Sequence, residues 1–217
     1  MIDLHTHSLF SDGELLPSEL VRRAEVIGYQ ALAITDHADS SNLDWILPRI
    51  IRVCEDVNRH WKIRAIPGIE LTHLPPDMIA SLTAQARSLG AKVVVVHGET
   101  PVEPVAPGTN RKAIEAGVDI LAHPGLISEK EVTLAREKRV FLEITSRKGH
   151  SLANGHVARL TQRLGASLVL NTDSHSPDDL ISGETARLVA LGAGLGSDDF
   201  ERMLENSRQL ISRLSGR

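Results

Sequence analysis

The chain has 217 residues, 41% of them hydrophobic, with 24 basic and 28 acidic side chains and a net charge of −4. This composition excludes a disordered chain, and the length fits one domain spanning 1–217. The acidic balance, without any long basic run, speaks against a surface built to coat polynucleotide.

Short apolar, often β-branched runs alternate with longer stretches of helical spacing. "IDL" at 2–4 is the first strand. "LPSELVRRAEVIG" follows as a helix with Leu20, Val21, Ala24 and Ile27 on one face, Pro17 early in it and Gly28 as its stop. "ALAIT" at 31–35 is the second strand, and a helix over about 44–59 carries Cys54 on its apolar face. As the single cysteine, Cys54 excludes an intramolecular disulfide and suits a reducing compartment. "IRAIPGIEL" at 63–71 is the third strand, with a helix over 76–89 behind it. "KVVVV" at 92–96 is the fourth; a Pro-rich loop, "ETPVEPVAPGTN", leads from it into a helix over about 110–117. "VDILA" at 118–122 and the helix "EKEVTLAREK" come next, then "VFLEI" at 140–144 with a helix near 152–164, and "SLVLN" at 167–171 as the seventh strand. Two helical stretches finish the chain. In the last, Phe200, Met203, Leu204, Leu210, Ile211 and Leu214 recur at helical spacing, and "SDD" at 197–199 offers an N-cap and an acidic first turn. The N-terminus lacks the basic-then-apolar layout of a signal peptide, and no apolar run reaches the length of a membrane span. A soluble, cytoplasmic protein is expected.

Seven β-α units predict a parallel sheet with crossover helices, either open or closed into a barrel. The polar residues at the strand ends decide between them. His5 and His7 follow the first strand, with Asp3 before them and Asp12 beyond; in extended backbone, i and i+2 face the same way, so the two imidazoles converge. Asp36 and His37 follow the second strand, and Glu70 ends the third. His97, His123, Glu143 and the pair Asp173 and His175 sit at or just past the later ones. In a barrel all those ends share one rim, whereas an open sheet gathers ligands only at a switch point. The even spread favours a barrel. His60 and His73 fall outside the pattern and are read as surface residues.

"DLHTHSLFSDG", "ITDH", "PGIE", "VHGE", "LAHPG" and "NTDSH" resemble, in order, the motifs of the PHP (polymerase and histidinol phosphatase) family, and the resemblance runs from Asp3 to His175. It implies an α/β fold, a distorted (β/α)7 TIM-like barrel, that hydrolyses phosphate esters with two or three divalent metal ions. By that resemblance His5, His7, Glu70 and Asp173 hold one metal. Glu70, as a bridge, holds a second with His97 and His123, and Asp12, His37 and His175 hold a third. Some relatives carry His where this chain has Asp12. Glu143 matches a family position on the sixth strand and is read as a buried acceptor beside the cluster.

The chemistry of this set can also be read without the family. Imidazoles and carboxylates without thiolate suit Zn, Mn or Fe. Clustered ions make hydroxide available near neutral pH, bind phosphoryl oxygens and stabilise the leaving alkoxide. The rim segment "EITSRKGHS" adds Arg147, Lys148 and His150. Arg147 can grip phosphate by two points, so Arg147 and His150 are the catalytic candidates, and Arg147 and Lys148 are substrate contacts. "PGTNR" opens a helix whose free N–H groups could meet an anion, which makes Asn110 a third contact, or simply the N-cap. The expected function is a metal-dependent phosphoesterase acting through a metal-bound hydroxide on a small phosphorylated metabolite: a nucleotide, a sugar phosphate or histidinol phosphate. Alternatives are a phosphodiesterase or short-oligonucleotide exonuclease, an amidohydrolase-like C–N hydrolase, and a PHP-like binding module. Lys92 lies at the wrong end of its strand to serve as an amidohydrolase's bridging lysine, and the full ligand set speaks against the binding module. No polynucleotide and no membrane partner is expected.

Overall fold

Every strand pair in the sheet is parallel, and the order follows the chain. The strands are β1 (Ile2–Asp3), β2 (Ala31–Ile34), β3 (His37–Ala38), β4 (Arg64–Leu71), β5 (Val93–His97), β6 (Ile120–Ala122), β7 (Phe141–Thr145) and β8 (Leu168–Asn171). The computed structural model describes residues 1–215 and the side chains through Arg213, so the side chain of Leu214 lies outside the described residues. β4 is long enough to pair twice: Ile34 lies opposite Pro67, and His37 resumes the pairing opposite Glu70. The second expected strand is β2, and β3 is a two-residue addition past its end, paired to the same long neighbour. β1 and β8 meet through a single bridge, Thr6 to Ser174, with His7 N donating to Ser174 O at 2.8 Å and Asp173 N to His5 O at 3.0 Å. The sheet is thus an α/β TIM-like barrel of seven positions, nearly closed, its last seam held by loop backbone beyond the strand ends.

Among the described residues eight α-helices accompany it: α1 (Pro17–Ile27), α2 (Leu43–Asn58), α3 (Ile79–Ser88), α4 (Thr109–Ala116), α5 (Glu129–Lys138), α6 (Asn154–Leu164), α7 (Gly183–Gly192) and α8 (Ser197–Ser215). Outward strand residues such as Val94, Val96, Leu142 and Ile144 pack with the apolar faces of these helices. α1 stops at Gly28, whose φ of 99° is open to glycine. α5 starts with a capping box between Ser128 and Glu131. Cys54 is buried on α2, and burial pushes its thiol pKa up to about 12. In α8 Ser197 is already helical; the polar start comes from Asp199, whose carboxylate accepts from Gly196 N at 2.9 Å.

The barrel interior has its own apolar cluster, which includes Ile66, Val93, Val95, Phe141 and Val169. Leu210 and Ile211 of α8 belong to the same cluster, so α8 plugs the N-terminal end. Toward the other end the inward positions turn polar. Stepping by two from Ile66 reaches Glu70, from Val95 His97, from Phe141 Glu143, and from Val169 Asn171. One periodicity therefore supplies both the plugged base and the polar floor above it.

Candidate metal centre

β1 ends at Asp3, but the backbone runs on extended. The Thr6 hydroxyl donates to Ala33 O at 2.7 Å, and Thr6 itself bridges to Ser174. His5 and His7 flank Thr6, and their rings lie 5.1 Å apart, as the i, i+2 spacing predicts. Two buried aspartates hold this segment. Asp3 accepts from the Thr172 hydroxyl at 2.6 Å. Asp36, expected from its position to be metal-competent, is an anchor instead: it accepts from Ser8 N and Ser8 Oγ, both at 2.7 Å, and from Ser11 Oγ at 2.8 Å.

Glu70 and Asp173 form the centre, both buried. His5 Nε2 lies 3.3 Å from Glu70 Oε1 and 3.6 Å from Asp173 Oδ1. His7 Nε2 is 3.1 Å from Asp173 Oδ1, and His123 Nε2 is 3.6 Å from Asp173 Oδ2 and 3.8 Å from Glu70 Oε1. His37 Nδ1 reaches Glu70 Oε2 at 2.6 Å. On the outer side Asp12 Oδ1 sits 3.2 Å from His175 Nε2 and 3.4 Å from His37 Nε2. Asp173 and His123 hold φ angles of 54° and 25°, a left-handed strain of the kind that collects at functional sites. Glu143 backs the centre: its Oε1 accepts from His5 Nδ1 at 2.9 Å and Asn171 Nδ2 at 2.8 Å, and its Oε2 from His123 N at 3.1 Å.

Six buried polar atoms here have no hydrogen-bond partner: His5 Nε2, both ring nitrogens of His7, Glu70 Oε1, His123 Nδ1 and Asp173 Oδ1. Leaving such groups unpaired is costly, and His5 Nε2 and His7 Nε2 both face Asp173 Oδ1, with Glu70 Oε1 beside His5. Burial drives the pKa values of His7 and His123 well below the usual histidine range, which keeps them neutral with a lone pair to offer. Burial also pushes Asp173 up to about 7. Burial lowers His5 and His37 too, but neighbouring carboxylates outweigh it. Glu143, Glu70 and Asp173 raise His5 well above its usual value, and Glu70 and Asp12 raise His37 to about 10. Imidazoles, of which His7 and His123 are held neutral, and carboxylates gathered in groups whose donor atoms lie within 4.8 Å of one another are what divalent cations require, so these residues fit a metal cluster.

Above the centre opens a cavity of about 410 Å³, lined among others by Asp12, His37, His97, Arg147, His150, Asp173 and His175. Arg147 reaches it while pairing with Asp179 at 3.0 Å. His150 stacks on His123 at 4.1 Å, with its Nδ1 2.7 Å from Thr100 Oγ1. Two expected substrate contacts are placed elsewhere. Lys148 is exposed and does not line the cavity. Asn110 is buried inside α4, whose N-cap is Gly108, and both ends of its amide are occupied: Oδ1 accepts from Glu99 N at 2.9 Å and Nδ2 donates to Pro124 O at 2.8 Å. It ties two rim loops together, which leaves no amide group for a ligand. His73 is exposed, as expected, yet it lines the cavity beside Glu103, an acid the motif reading passed over. The only signal for Glu103 was an acid in a Pro-rich loop after a strand.

The PHP domain profile matches residues 3–145. An uncharacterized protein of Methanocaldococcus jannaschii is 47% identical over 215 residues, covering 98% of this chain and 99% of the relative. A probable phosphatase of Shewanella frigidimarina is 28% identical over 253 residues, covering all of this chain and 94% of its own. Among solved structures, a chain in the cryo-EM structure of archaeal Ribonuclease P with mature tRNA superimposes with a TM-score of 0.76 at 14% identity, over 99% of this chain and 91% of that one. The superposition shows the same barrel, and the profile spans the strands that carry His5 through Glu143: the chain belongs to the PHP domain family.

Proposed function

We propose that this protein is a metal-dependent phosphoesterase that hydrolyses a small phosphorylated metabolite, a phosphomonoester in the first place. The observation that carries the reading is the convergence of Glu70 and Asp173 with His5, His7, His37 and His123, where six buried donor or acceptor atoms stand unpaired. His5, His7, Glu70 and Asp173 would hold one ion, Glu70 with His97 and His123 a second, and Asp12, His37 and His175 a third. Zn, Mn and Fe all suit this donor set. Bound there, divalent ions supply Lewis acidity to a phosphoryl group and to the water that attacks it.

The chain's own residues provide the rest. Arg147 faces the cavity with a guanidinium able to meet two phosphoryl oxygens. His150, held by Thr100 and stacked on His123, is placed to carry a proton at the leaving oxygen. Glu143 fixes the ring of His5 through Nδ1 and leaves Nε2 to face Glu70. The kinship to a probable phosphatase along the whole chain supports the same reading.

Purified protein should be stripped, reloaded with Mn or Zn, and assayed on p-nitrophenyl phosphate, its diester, phosphorylated metabolites, short oligonucleotides and amides. Metal-dependent turnover of phosphomonoesters is expected. Preference for the diester or oligonucleotides would move the assignment to a phosphodiesterase, and turnover of amides alone would move it to C–N hydrolysis. No turnover of any phosphate ester by metal-loaded protein would end the proposal.

A further inference from the structure

The loop between β5 and α4 carries a carboxylate that the reaction proposed above does not use. Glu103 Oε2 lies 3.1 Å from His97 Nε2 and 3.1 Å from His73 Nε2, and its Oε1 lies 3.3 Å from His150 Nε2. Three imidazoles from three separate segments thus converge on one acid at the mouth of the cavity. No Glu70 oxygen lies so near His97, although the family resemblance pairs the two. His123 and His150 complete the surroundings, with ring centroids 4.4 and 5.7 Å from that of His97.

The contact between His97 and Glu103 has the geometry of two ligands more than of two acceptors. His97 Nδ1 faces Gly98 O at 3.2 Å. A ring that donates there turns the lone pair of Nε2 toward the carboxylate. With Nε2 unprotonated, two electron-rich atoms at that distance repel unless a cation lies beside both; with Nε2 protonated, the ring donates to Glu103 and the cation takes the proton's place on binding. Ligand atoms that share a tetrahedral ion at about 2.0–2.2 Å stand roughly 3.3–3.6 Å apart, close to the spacing seen here. The donor atoms of His73, His97 and Glu103 all lie within 4.8 Å of one another. His73 adds a separate sign of construction. Its φ of 51° is a left-handed conformation that histidine adopts at a cost, and in it Nε2 meets the same Glu103 oxygen that faces His97.

We propose that Glu103 is a ligand of the ion that His97 holds, delivered by the loop after β5, and that His73 is the positioning residue that orients its carboxylate. The inference rests on the metal-dependent reading above. Glu103 brings negative charge to the imidazole-rich side of the cluster, formed by His97, His123 and His150. Because Glu103 is partly exposed on a loop, the ion it helps to hold is reached from the cavity.

Full-length protein, stripped of metal, should be titrated with Mn(II) and with Zn(II) by calorimetry, with bound metal counted by elemental analysis. Co(II) loading gives a visible spectrum that reports the coordination shell. Glu103→Ala and Glu103→Gln are expected to lose one equivalent of metal, or to weaken one binding phase by about 10- to 100-fold. Their Co(II) bands should change while the metal-free melting temperature stays near that of the parent. His73→Asn tolerates the left-handed backbone and keeps a donor, so it should show a smaller loss than Glu103→Ala. Parent-like stoichiometry, affinity and Co(II) spectrum in both Glu103 variants would overturn the assignment and leave the metal-dependent reading standing. Tighter binding in them would also overturn it, by making Glu103 a competitor of the ion. If the parent protein itself held no ion, both readings would fall together.

Discussion

Glu143 Oε1 accepts a hydrogen bond from His5 Nδ1 at 2.9 Å, and neither side chain reaches solvent. The contact fixes which nitrogen of His5 carries a proton and which one faces Glu70 and Asp173. Glu143→Gln is therefore expected to weaken metal binding by about 10- to 100-fold while the barrel still folds. Glu143→Ala should be worse for stability, because Asn171 Nδ2 and His123 N also lose their acceptor. Metal titration and thermal unfolding of the two variants would separate these effects; parent-like affinity in Glu143→Gln would remove Glu143 from the support of the site.

Glu70 stands within 4.0 Å of His5, His7, His37 and His123, so it is placed to bridge two ions. Glu70→Gln keeps the size of the side chain and removes its charge. Phosphatase activity should fall by several orders of magnitude, and more than one equivalent of metal should be lost, with the circular dichroism spectrum unchanged. Near-normal turnover and metal content would rule out the bridging role.

Metal binding should release protons. Burial lowers the pKa of His37, but Glu70 and Asp12 outweigh it and hold it at about 10, and His5 is raised for the same kind of reason. Both rings therefore carry an extra proton at neutral pH in the metal-free protein, and an ion must displace it to use the lone pair. Apparent metal affinity should rise with pH up to about 10 and fall as the solution is acidified. Calorimetry at pH 8 in two buffers of different ionisation heat would count the protons, and a count of zero would contradict this electrostatic picture. Chelation should also lower the melting temperature, since ions that bind only the folded state stabilise it by mass action.

Most of this site was legible because a parallel barrel puts every strand's C-terminal end on one rim. Any polar residue that ended an apolar run, such as Glu70 or His97, could be placed there from the sequence. What was missed has a physical reason in each case. β3 is two residues long, too short for any periodicity to announce. Asp36 follows a strand as the ligands do, but the motifs assign it no role; the Ser8–Ser11 turn gives it backbone and hydroxyl donors. Asn110 was expected as an anion contact or the N-cap of the helix that "PGTNR" opens, but Gly108, at φ 91°, is the cap, and Asn110 already lies inside the helix. Glu103 and His73 come from loops, where spacing says nothing about which side chains will meet.

Arg147 tests whether the site is built for phosphate in particular, since metals alone would also bind a carboxylate or an amide oxygen. Its guanidinium lines the cavity, and its Nη1 pairs with Asp179 Oδ2 at 3.0 Å. Asp179 also accepts from His175 N at 2.9 Å and Ser176 N at 2.8 Å, so it keeps partners when the arginine is removed. The ion pair is partly exposed and contributes about 0–1 kcal/mol to stability. Arg147→Ala should therefore leave metal content intact and melting nearly so. Its effect belongs to the transition state, where charge spreads over the phosphoryl oxygens and a charge-assisted two-point contact strengthens. Losing that contact should cost about 2–4 kcal/mol, or roughly 30- to 1000-fold in kcat/KM. Arg147→Lys should recover only part, because a point charge replaces a planar fork. Asp179→Asn weakens the arginine's tether, so it should raise KM more than it lowers kcat. Kinetics with p-nitrophenyl phosphate and the best metabolite decide the matter: a change below about threefold in Arg147→Ala would leave Arg147 a tie between the β7 and β8 loops and nothing more.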